Sequence, residues 1–239
     1  MSDLIYDGHN IGELFDVGDP EITLFNSLPD LRDVPARDGS AFVGIRYGAS
    51  TVTCTIAVDG PNRRDKLSTL GMWLNVDGPR KLVLPDTPDW YYLAVPSNSV
   101  SLTRLIDADV AKLTFTLVDP VAYGRKVFVT IPSGGSKTFN VGGTYGTKPT
   151  VSASAAVRNA SSHVWGVRLD SGDVLQVATG SGSARAVVFD CDKRACYLSG
   201  ALTLPTLNSD WFVLEPGTHT IANDQGTGAC TVSYVERWM

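Results

Sequence analysis

The chain has 239 residues, of which 43% are hydrophobic and 19% are charged, so it can bury real cores and is unlike a disordered chain. Residues 1–124 carry ten Lys and Arg against seventeen Asp and Glu, a net charge of −7, whereas residues 125–239 carry ten against eight, a net charge of +2. Neither half has the basic excess of a tight nucleic-acid binder. No apolar run approaches the roughly 20 residues that span a bilayer, and the start lacks a signal-peptide pattern. We therefore expect synthesis in the cytosol and no membrane insertion.

The beginning of the chain is predicted to be β-rich. Residues 1–35 are acidic and rich in loop-forming residues, with a short apolar piece at 22–25 that fits an extended arm or a few short strands. Residues 42–47, FVGIRY, could form a strand. Residues 51–59, TVTCTIAVD, alternate cleanly, which predicts a strand with one buried side. The residues that share this side are Val52, Cys54, Ile56 and Val58.

A single short amphipathic helix of three to four turns is predicted after the turn at Gly60. Either Pro61 or Asn62 suits its N-terminus, where free N–H groups need a cap or are absent. Arg63 and Arg64 place positive charge at this end, against the helix dipole, so we expect acids from elsewhere in the chain or from another subunit to hold them. The leucines at i, i+3 and i+7 that form the apolar face are Leu67, Leu70 and Leu74.

The rest of this half is predicted to consist of short strands, and it ends at a composition change. Four strands are expected, at residues 81–84, 90–95, 99–105 and 113–117. Asp119-Pro120 ends the last strand, because proline lacks the N–H that a sheet ladder needs. After Gly124 the chain has fewer acids and more Gly, Ser and Thr. We therefore predict two domains, 1–124 and 125–239, joined at this point.

The second half is predicted to be β throughout. Turn residues such as Ser133-Gly134-Gly135 and Pro216-Gly217 separate short strands at roughly 8–12-residue spacing, a pattern typical of a sandwich. The predicted strands are residues 126–131, 150–157, 164–169, 173–178, 185–190, 195–198, 210–214 and 228–235.

The sequence carries no recognisable catalytic, metal or cofactor motif. The three histidines, His9, His163 and His219, stand in unrelated contexts, and no zinc-protease, nucleophile-elbow or phosphate-loop pattern is present. We therefore expect no metal site and no cofactor.

The four cysteines are predicted to be free thiols in a cytosolic chain. They are Cys54, Cys191, Cys196 and Cys230. Cys191 and Cys196 lie too far apart for a typical zinc site, and no fourth ligand accompanies them. We interpret CDKRAC, residues 191–196, as a hairpin turn with its two thiols facing each other.

Two further constellations have both a functional and a structural interpretation. A glycosidase needs two carboxylates about 5–9 Å apart. Surface turns are also rich in Asp without any catalytic role, and we favour this structural interpretation. The acidic pairs concerned are Asp190/Asp192 and Asp107/Asp109. Trp165 and Trp211 are candidates for stacking on a sugar, although most tryptophans in sandwiches lie in the core, the interpretation that we favour.

The order of these segments resembles that of the distal tail protein (Dit) family of siphophages and related prophages. The likeness covers nearly the whole chain and rests on the order of its segments rather than on one motif. These segments are TCTIAVDGPNRRDKLSTLGMWL (53–74), the strand pair at 81–95 with its Trp-Tyr-Tyr, FTLVDPVAYG (115–124), WFVLEPG with Thr-Ile (211–221), and YVERW (234–238).

The resemblance implies a structural virion protein rather than an enzyme. The first domain, a β domain with one helix, would build a six-subunit ring at the tip of the tail tube, through which DNA passes. The second would be a galectin-like β-sandwich that projects outward. The neighbours would be the tube protein above and tail-tip or baseplate proteins below. The alternative is a carbohydrate-binding module for host-surface glycans, and an enzyme acting on wall polymer is disfavoured because no catalytic constellation is recognisable.

Overall fold

The computed structural model describes residues 3–23, 26–35, 38–97, 101–104, 108–180 and 182–239. The chain is mainly β, as predicted, and the described residues contain a single α-helix. It divides into two compact units, Met1–Tyr123 and Gly124–Met239. No helix among the described residues is both long and apolar enough to span a bilayer.

The described residues of the first unit form eleven strands, one turn of 3-10 helix and one α-helix. In chain order they are β1 (Ile5–Tyr6), β2 (His9–Asn10), the 3-10 turn Ile11–Glu13, β3 (Asp16–Val17), β4 (Glu21–Ile22), β5 (Ser27–Asp33), β6 (Ser40–Tyr47), β7 (Ser50–Asp59), α1 (Arg63–Leu74), β8 (Arg80–Val83), β9 (Tyr92–Pro96), β10 (Ser101–Arg104) and β11 (Ala108–Leu117). Nine strands form one sheet with the main order β2-β1-β8-β9-β11-β7-β3, in which β10 also pairs with β11 and β4 with β7. The remaining two, β5 and β6, form a separate hairpin.

The predicted strands of this unit are present, with shifted ends. Those at 42–47, 51–59, 81–84 and 113–117 correspond to β6, β7, β8 and β11. The aromatic strand begins at Tyr92 rather than at residue 90, and Tyr91 instead makes an isolated bridge with Tyr123. Of the stretches predicted at 22–25 and 99–105, residues 24, 25, 99, 100 and 105 lie outside the described part of the chain.

The antiparallel ladder between β7 and β11 forms the middle of the large sheet. Its register is unbroken over ten residue pairs, from Ala108 opposite Asp59 to Leu117 opposite Ser50. Alternate side chains of both strands point into the core, because successive residues of a strand face opposite sides. The predicted buried side of β7 is confirmed, and the buried residues of the two strands include Val52, Cys54, Ile56, Val58, Leu113, Phe115 and Leu117.

Helix α1 packs on this sheet through the predicted leucine face. Leu70 is only 2% exposed, and Leu67 and Leu74 are half-buried against the same core. Asn62 precedes the helix in a left-handed conformation, with φ of 67°, and makes no side-chain cap, so a capping side chain here is a wrong expectation. Its carbonyl instead accepts hydrogen bonds from the backbone N–H groups of Asp65 and Lys66.

An acid from the sheet holds one of the two arginines at the start of the helix. Arg63 Nη1 lies 3.7 Å from Oδ1 of Asp109 on β11, and the Asp109 carboxylate is largely buried. The expectation that an acid from elsewhere compensates this charge is therefore confirmed for Arg63. The ion pair also joins the first turn of the helix to the central strand.

The second unit consists of two sheets. Its strands are β12 (Ala122–Ile131), β13 (Ser136–Val141), β14 (Thr150–Ala156), β15 (Val164–Leu169), β16 (Val174–Ala178), β17 (Arg185–Asp190), β18 (Ala195–Leu198), β19 (Ala201–Thr203), β20 (Gly217–Gln225) and β21 (Cys230–Trp238). Six strands form a sheet of order β12-β21-β14-β17-β18-β19, and four form a sheet of order β13-β20-β15-β16. Inward-facing side chains of both sheets form one hydrophobic cluster, so the sandwich is confirmed.

Several predicted elements of this unit need correction. Residues 210–214 are not a strand, and only Leu214 makes a bridge, with Thr147. Three strands that the pattern did not indicate are present, namely β13, β19 and β20. Gly124 is not in a linker but inside β12, where a side chain would collide with the ring of Trp238. Its lack of a side chain therefore permits close packing rather than a flexible joint.

We expect Leu70→Ala to lower the free energy of unfolding by about 2–5 kcal/mol, because it removes a buried side chain and leaves a cavity between helix and sheet. Chemical denaturation followed by circular dichroism measures this change. Arg64→Ala is the matched control, since Arg64 lies in the same helix but is exposed, and its midpoint should stay near that of the wild type. Equal midpoints for Leu70→Ala and the wild type would contradict this assignment of the helix face.

Candidate self-association surface

The hairpin formed by β5 and β6 exposes an unusual amount of apolar side chain. In globular proteins such residues are normally covered, and a two-stranded hairpin on its own is marginally stable in water. Phe42, at the start of β6, is 64% exposed. The other exposed large hydrophobic residues of the hairpin and its connection are Leu28, Leu31, Val34, Val43, Ile45 and Tyr47. This concentration makes the hairpin a candidate surface for contact with a partner.

One face of the hairpin carries much of this apolar surface. Leu31 and Phe42 lie directly opposite each other, so their side chains share one face. Pro29 and Ile45 are likewise opposite each other in the register, on the other side of a β-bulge at Asp30/Leu31. Pro29 and Leu31 lie two residues apart on β5, so these four side chains share one face, and none of them belongs to a core cluster of the described residues.

The hairpin is a continuation of the large sheet rather than a loose loop. β4 pairs with β7, and beyond this pair Thr23 N donates to Thr51 O over 2.9 Å. Gly48 N then donates to Asn26 O over 2.8 Å, next to the first pair of the hairpin, Ser27 opposite Tyr47. The ladder of β7 thus extends outward into β6, which holds the hairpin in a defined direction at its base.

A second apolar feature of the same unit is a groove beside the C-terminal half of α1. It has a volume of about 620 Å³ and lies between the helix and strands β9 and β11. Its apolar lining residues include Met72, Leu74, Pro96, Leu113 and Phe115. Hairpin and groove are different surfaces, and a contact between different surfaces of identical subunits is head-to-tail, the type that closes into rings.

The sequence indicated the strand of this surface but not its exposure. Residues 42–47 are predicted as a strand, whereas β5 falls within residues 1–35, for which the sequence predicts only an extended arm or a few short strands. Pro29 in SLPDLRD weakens a strand prediction there. The signal that would have identified the surface is the absence of polar alternation in FVGI, which suits a strand covered on both sides.

The two tryptophans proposed for sugar stacking lie in or against the sandwich core. Trp165 is fully buried, with its ring stacked 6.3 Å from that of Phe189, so its faces offer no surface to a sugar. Trp211 is half-buried and packs edge-on against the same Phe189. Stacking at Trp165 is therefore not possible in this structure, and stacking at Trp211 stays a prediction.

The described residues of the two acidic pairs have structural partners. Asp190 Oδ1 accepts hydrogen bonds from the backbone N–H groups of Asp192 and Lys193, which shapes the turn after β17. Asp192 Oδ1 lies 3.0 Å from Nζ of Lys148. Of the other pair, Asp109 is bound to Arg63, and Asp107 lies outside the described residues.

The four cysteines are free and buried. Cys196 lies opposite Phe189 in the register, so the expectation that it faces Cys191 across a hairpin turn is wrong. Burial away from water disfavours the thiolate and raises the pKa of Cys54 and Cys196 to about 11 and those of Cys191 and Cys230 to about 12.

The three histidines also lie apart. His9 stacks on Trp73, with ring centroids 4.8 Å apart, His163 sits in a turn, and His219 Nε2 lies 2.7 Å from the carbonyl oxygen of Glu215. Within the part of the chain that the structure describes, no three His, Cys, Asp or Glu residues are placed to hold a metal ion.

Comparison with known families matches both halves of the chain to phage tail proteins. Residues 6–117 match the model of the phage tail protein RIFT-related domain. Residues 142–238 match that of the siphovirus-type tail component, C-terminal domain. Among curated protein sequences no match is found.

Solved structures show the same fold. The Dit protein of phage SPP1, described as a paradigm of the hub adsorption apparatus in phages that infect Gram-positive hosts, superposes with a TM-score of 0.81 at 18% identity over 99% of each chain. A chain of the phage p2 baseplate in its activated conformation with Ca superposes with a TM-score of 0.50 at 8% identity, over 95% of this chain and 92% of that one.

We expect the thiols to resist alkylation in the folded protein, because a buried thiol with a raised pKa is almost entirely protonated near neutral pH. Iodoacetamide at pH 8 should modify none of the four cysteines without denaturant and all four in guanidinium, as counted by intact mass. Rapid modification of the folded protein would show that at least one thiol is accessible.

Proposed function

Because this chain belongs to the distal tail protein family of siphophages, structural components of the tail hub, we propose that it forms a ring at the distal end of the tail. The observation that carries the proposal is the apolar hairpin of β5 and β6, which its own unit leaves uncovered. Six copies per ring is the number that the family resemblance implies. The first domain, residues 1–124, supplies the ring contacts in this proposal, and 125–239 is a separate galectin-like sandwich.

The energetics support self-association through the first unit. Burying apolar surface contributes about 25 cal/mol per Å², so covering the side chains of Phe42 and Ile45 favours assembly. The Gly48–Asn26 hydrogen bond closes the base of the hairpin, next to the Thr23–Thr51 bond that extends the β4–β7 pair, and this ordering lowers the entropy lost on docking. In this proposal, the hairpin of a neighbouring subunit covers the apolar groove beside α1.

The partners proposed for the ring are the tail tube protein on one side and tail-tip or baseplate proteins on the other. The chain would be made in the host cytoplasm and join the tail during assembly. A structural role of this kind requires complementary surfaces rather than an active site. The hairpin and the groove are surfaces of that kind.

We expect the double variant Phe42→Lys/Ile45→Lys to remain monomeric while the wild type sediments as a ring, because two charges on the hairpin would have to be buried without partners. Sedimentation velocity over a concentration series measures the difference. Phe128→Lys is the matched control, since Phe128 is 65% exposed on β12 and should leave assembly unchanged. A wild type that stays monomeric at high concentration, or a double variant that still assembles, would contradict the proposal.

A ring that lets DNA pass must not retain it, and the charge distribution favours this. Residues 1–124 carry a net charge of −7, and Arg63 is already paired with Asp109. Affinity for duplex DNA grows with each phosphate that Lys or Arg neutralises. We propose that the inner wall exposes more Asp and Glu than Lys and Arg.

We therefore expect the assembled protein to leave duplex DNA unshifted in a gel-shift assay, even at low salt, where phosphate contacts are strongest. A known DNA-binding protein at the same concentration provides the positive control. Tight retention that weakens as salt is added would contradict an acidic or neutral inner wall.

A further inference from the structure

The sandwich of the second unit has four edge strands, and they differ in how they are protected. The six-stranded sheet ends at β12 and β19, and the four-stranded sheet ends at β13 and β16. An edge strand presents unpaired N–H and C=O groups, which another chain can pair with. Natural proteins therefore cover such edges or place charges on them.

The segment before Trp211 covers one of these edges. Thr206 N donates to Gln176 O over 2.9 Å, and Asp210 N donates to Val174 O over 2.8 Å. Between them, the Ser209 hydroxyl donates to Gln176 O and accepts a hydrogen bond from Gln176 N. The outer edge of β16 is thus occupied by the chain itself.

Two other edges carry charge. On β12, Arg125 and Lys126 are exposed, and on β13 Lys137 is exposed within a strand whose outward side chains are polar. Lysine on an edge strand opposes pairing with another chain, because pairing would bring its charge against an incoming backbone. Three of the four edges are therefore protected against a further strand.

The fourth edge, β19, has neither form of protection. Residues 197–209, YLSGALTLPTLNS, contain no charged side chain. Leu202, Leu204 and Leu207 are 72%, 87% and 105% exposed, the three highest values among large hydrophobic residues in the described chain. Among the described residues, no backbone hydrogen bond reaches β19 from any strand other than β18.

The local backbone holds this edge in place. β18 and β19 are joined by the two-residue turn Ser199-Gly200, with φ of 50° and 83°, the left-handed values of a tight hairpin turn. The register places Leu202 opposite Tyr197. β19 is therefore a short but ordered strand, and Leu204 follows one residue beyond its end.

We propose that the open edge of β19 binds an extended, uncharged, apolar segment of another protein by β-strand addition. Main-chain hydrogen bonds to β19 would supply the pairing, and the exposed Leu202 and Leu204 would pack against side chains of the added strand. A charged segment is disfavoured, because residues 197–209 offer its charges no partner. This docking site lies outside the ring contacts proposed above and does not depend on them.

A second copy of this chain is a poorer occupant than a different protein. β19 is three residues long, so two copies paired edge to edge would share only a few hydrogen bonds. The buried area would fall far below the roughly 1,200 Å² of a stable interface. A longer strand from a partner can pass along β19 and continue over Leu204, which lies one residue beyond its end.

The test uses the full-length protein and a synthetic probe. The probe is a fluorescein-labelled peptide of six alternating Thr and Val residues with one lysine at each end for solubility. A second peptide has the same side chains but every Thr and Val backbone nitrogen methylated, so that it cannot donate hydrogen bonds. Fluorescence anisotropy measures binding to the wild type, to Leu204→Lys and to the control Phe128→Lys. The control also replaces an exposed apolar residue by lysine, but on the charged edge β12.

We expect saturable binding of the unmethylated peptide to the wild type and to Phe128→Lys. Binding should be at least tenfold weaker for Leu204→Lys and for the methylated peptide. Denaturation midpoints equal to that of the wild type show that both variants are folded, as expected for exposed positions.

Three results would overturn the proposal. The first is the absence of saturable peptide binding to the wild type. The second is equal binding of the methylated and unmethylated peptides, or equal binding of the peptide to Leu204→Lys and Phe128→Lys, which would exclude strand addition at β19. The third is self-association of the wild type that Leu204→Lys abolishes, which would identify a second copy as the occupant. The Phe42→Lys/Ile45→Lys variant retains β19, so it should bind the probe even though it does not assemble. This result would show that the β19 site does not depend on the ring.

Discussion

The unbroken ladder between β7 and β11 is the constraint on which the first unit depends. Ten residue pairs in one register fix which side chains of both strands face the core, since a shift by one residue would turn every one of them outward. Helix α1 packs on this core through Leu70, and the ion pair from Arg63 to Asp109 on β11 joins its first turn to the same ladder. The exposed hairpin then continues outward from β7. The position of the candidate surface therefore follows from the register of two central strands.

The two units differ in how much apolar surface they leave exposed. The second unit closes two sheets over one hydrophobic cluster that includes the fully buried Trp165, and it leaves one unprotected strand edge at β19. The first unit has its own core but leaves a whole hairpin and a groove uncovered. A surface such as that around Phe42 costs stability in an isolated subunit, which supports the proposal that this protein works as an assembly.

Several local sequence signals were overridden by packing. Residues 210–214, DWFVL, have the composition of a strand, yet Trp211 and Phe212 pack on the sandwich core without a ladder partner. Conversely, β20 contains Gly217, Asn223 and Asp224, which are poor strand formers, and becomes a strand because it lies between β13 and β15. Strand propensity depends on neighbours that a sequence window does not contain, which explains both errors.

The sequence by itself determined the features that are local and periodic. The alternation of Val52, Cys54 and Ile56 specified a strand and its buried side, and the spacing of Leu67, Leu70 and Leu74 specified the helix face, because both follow from backbone geometry. The order of these elements also indicated the family.

Only the tertiary structure decided which side chains stay exposed once the elements pack. Phe42, Leu204 and Trp165 have similar apolar character in the sequence, yet the first two lie in solvent and the third in a core. The candidate surfaces were therefore not predictable, because exposure is set by residues distant in the chain and by the strands that happen to lie at an edge.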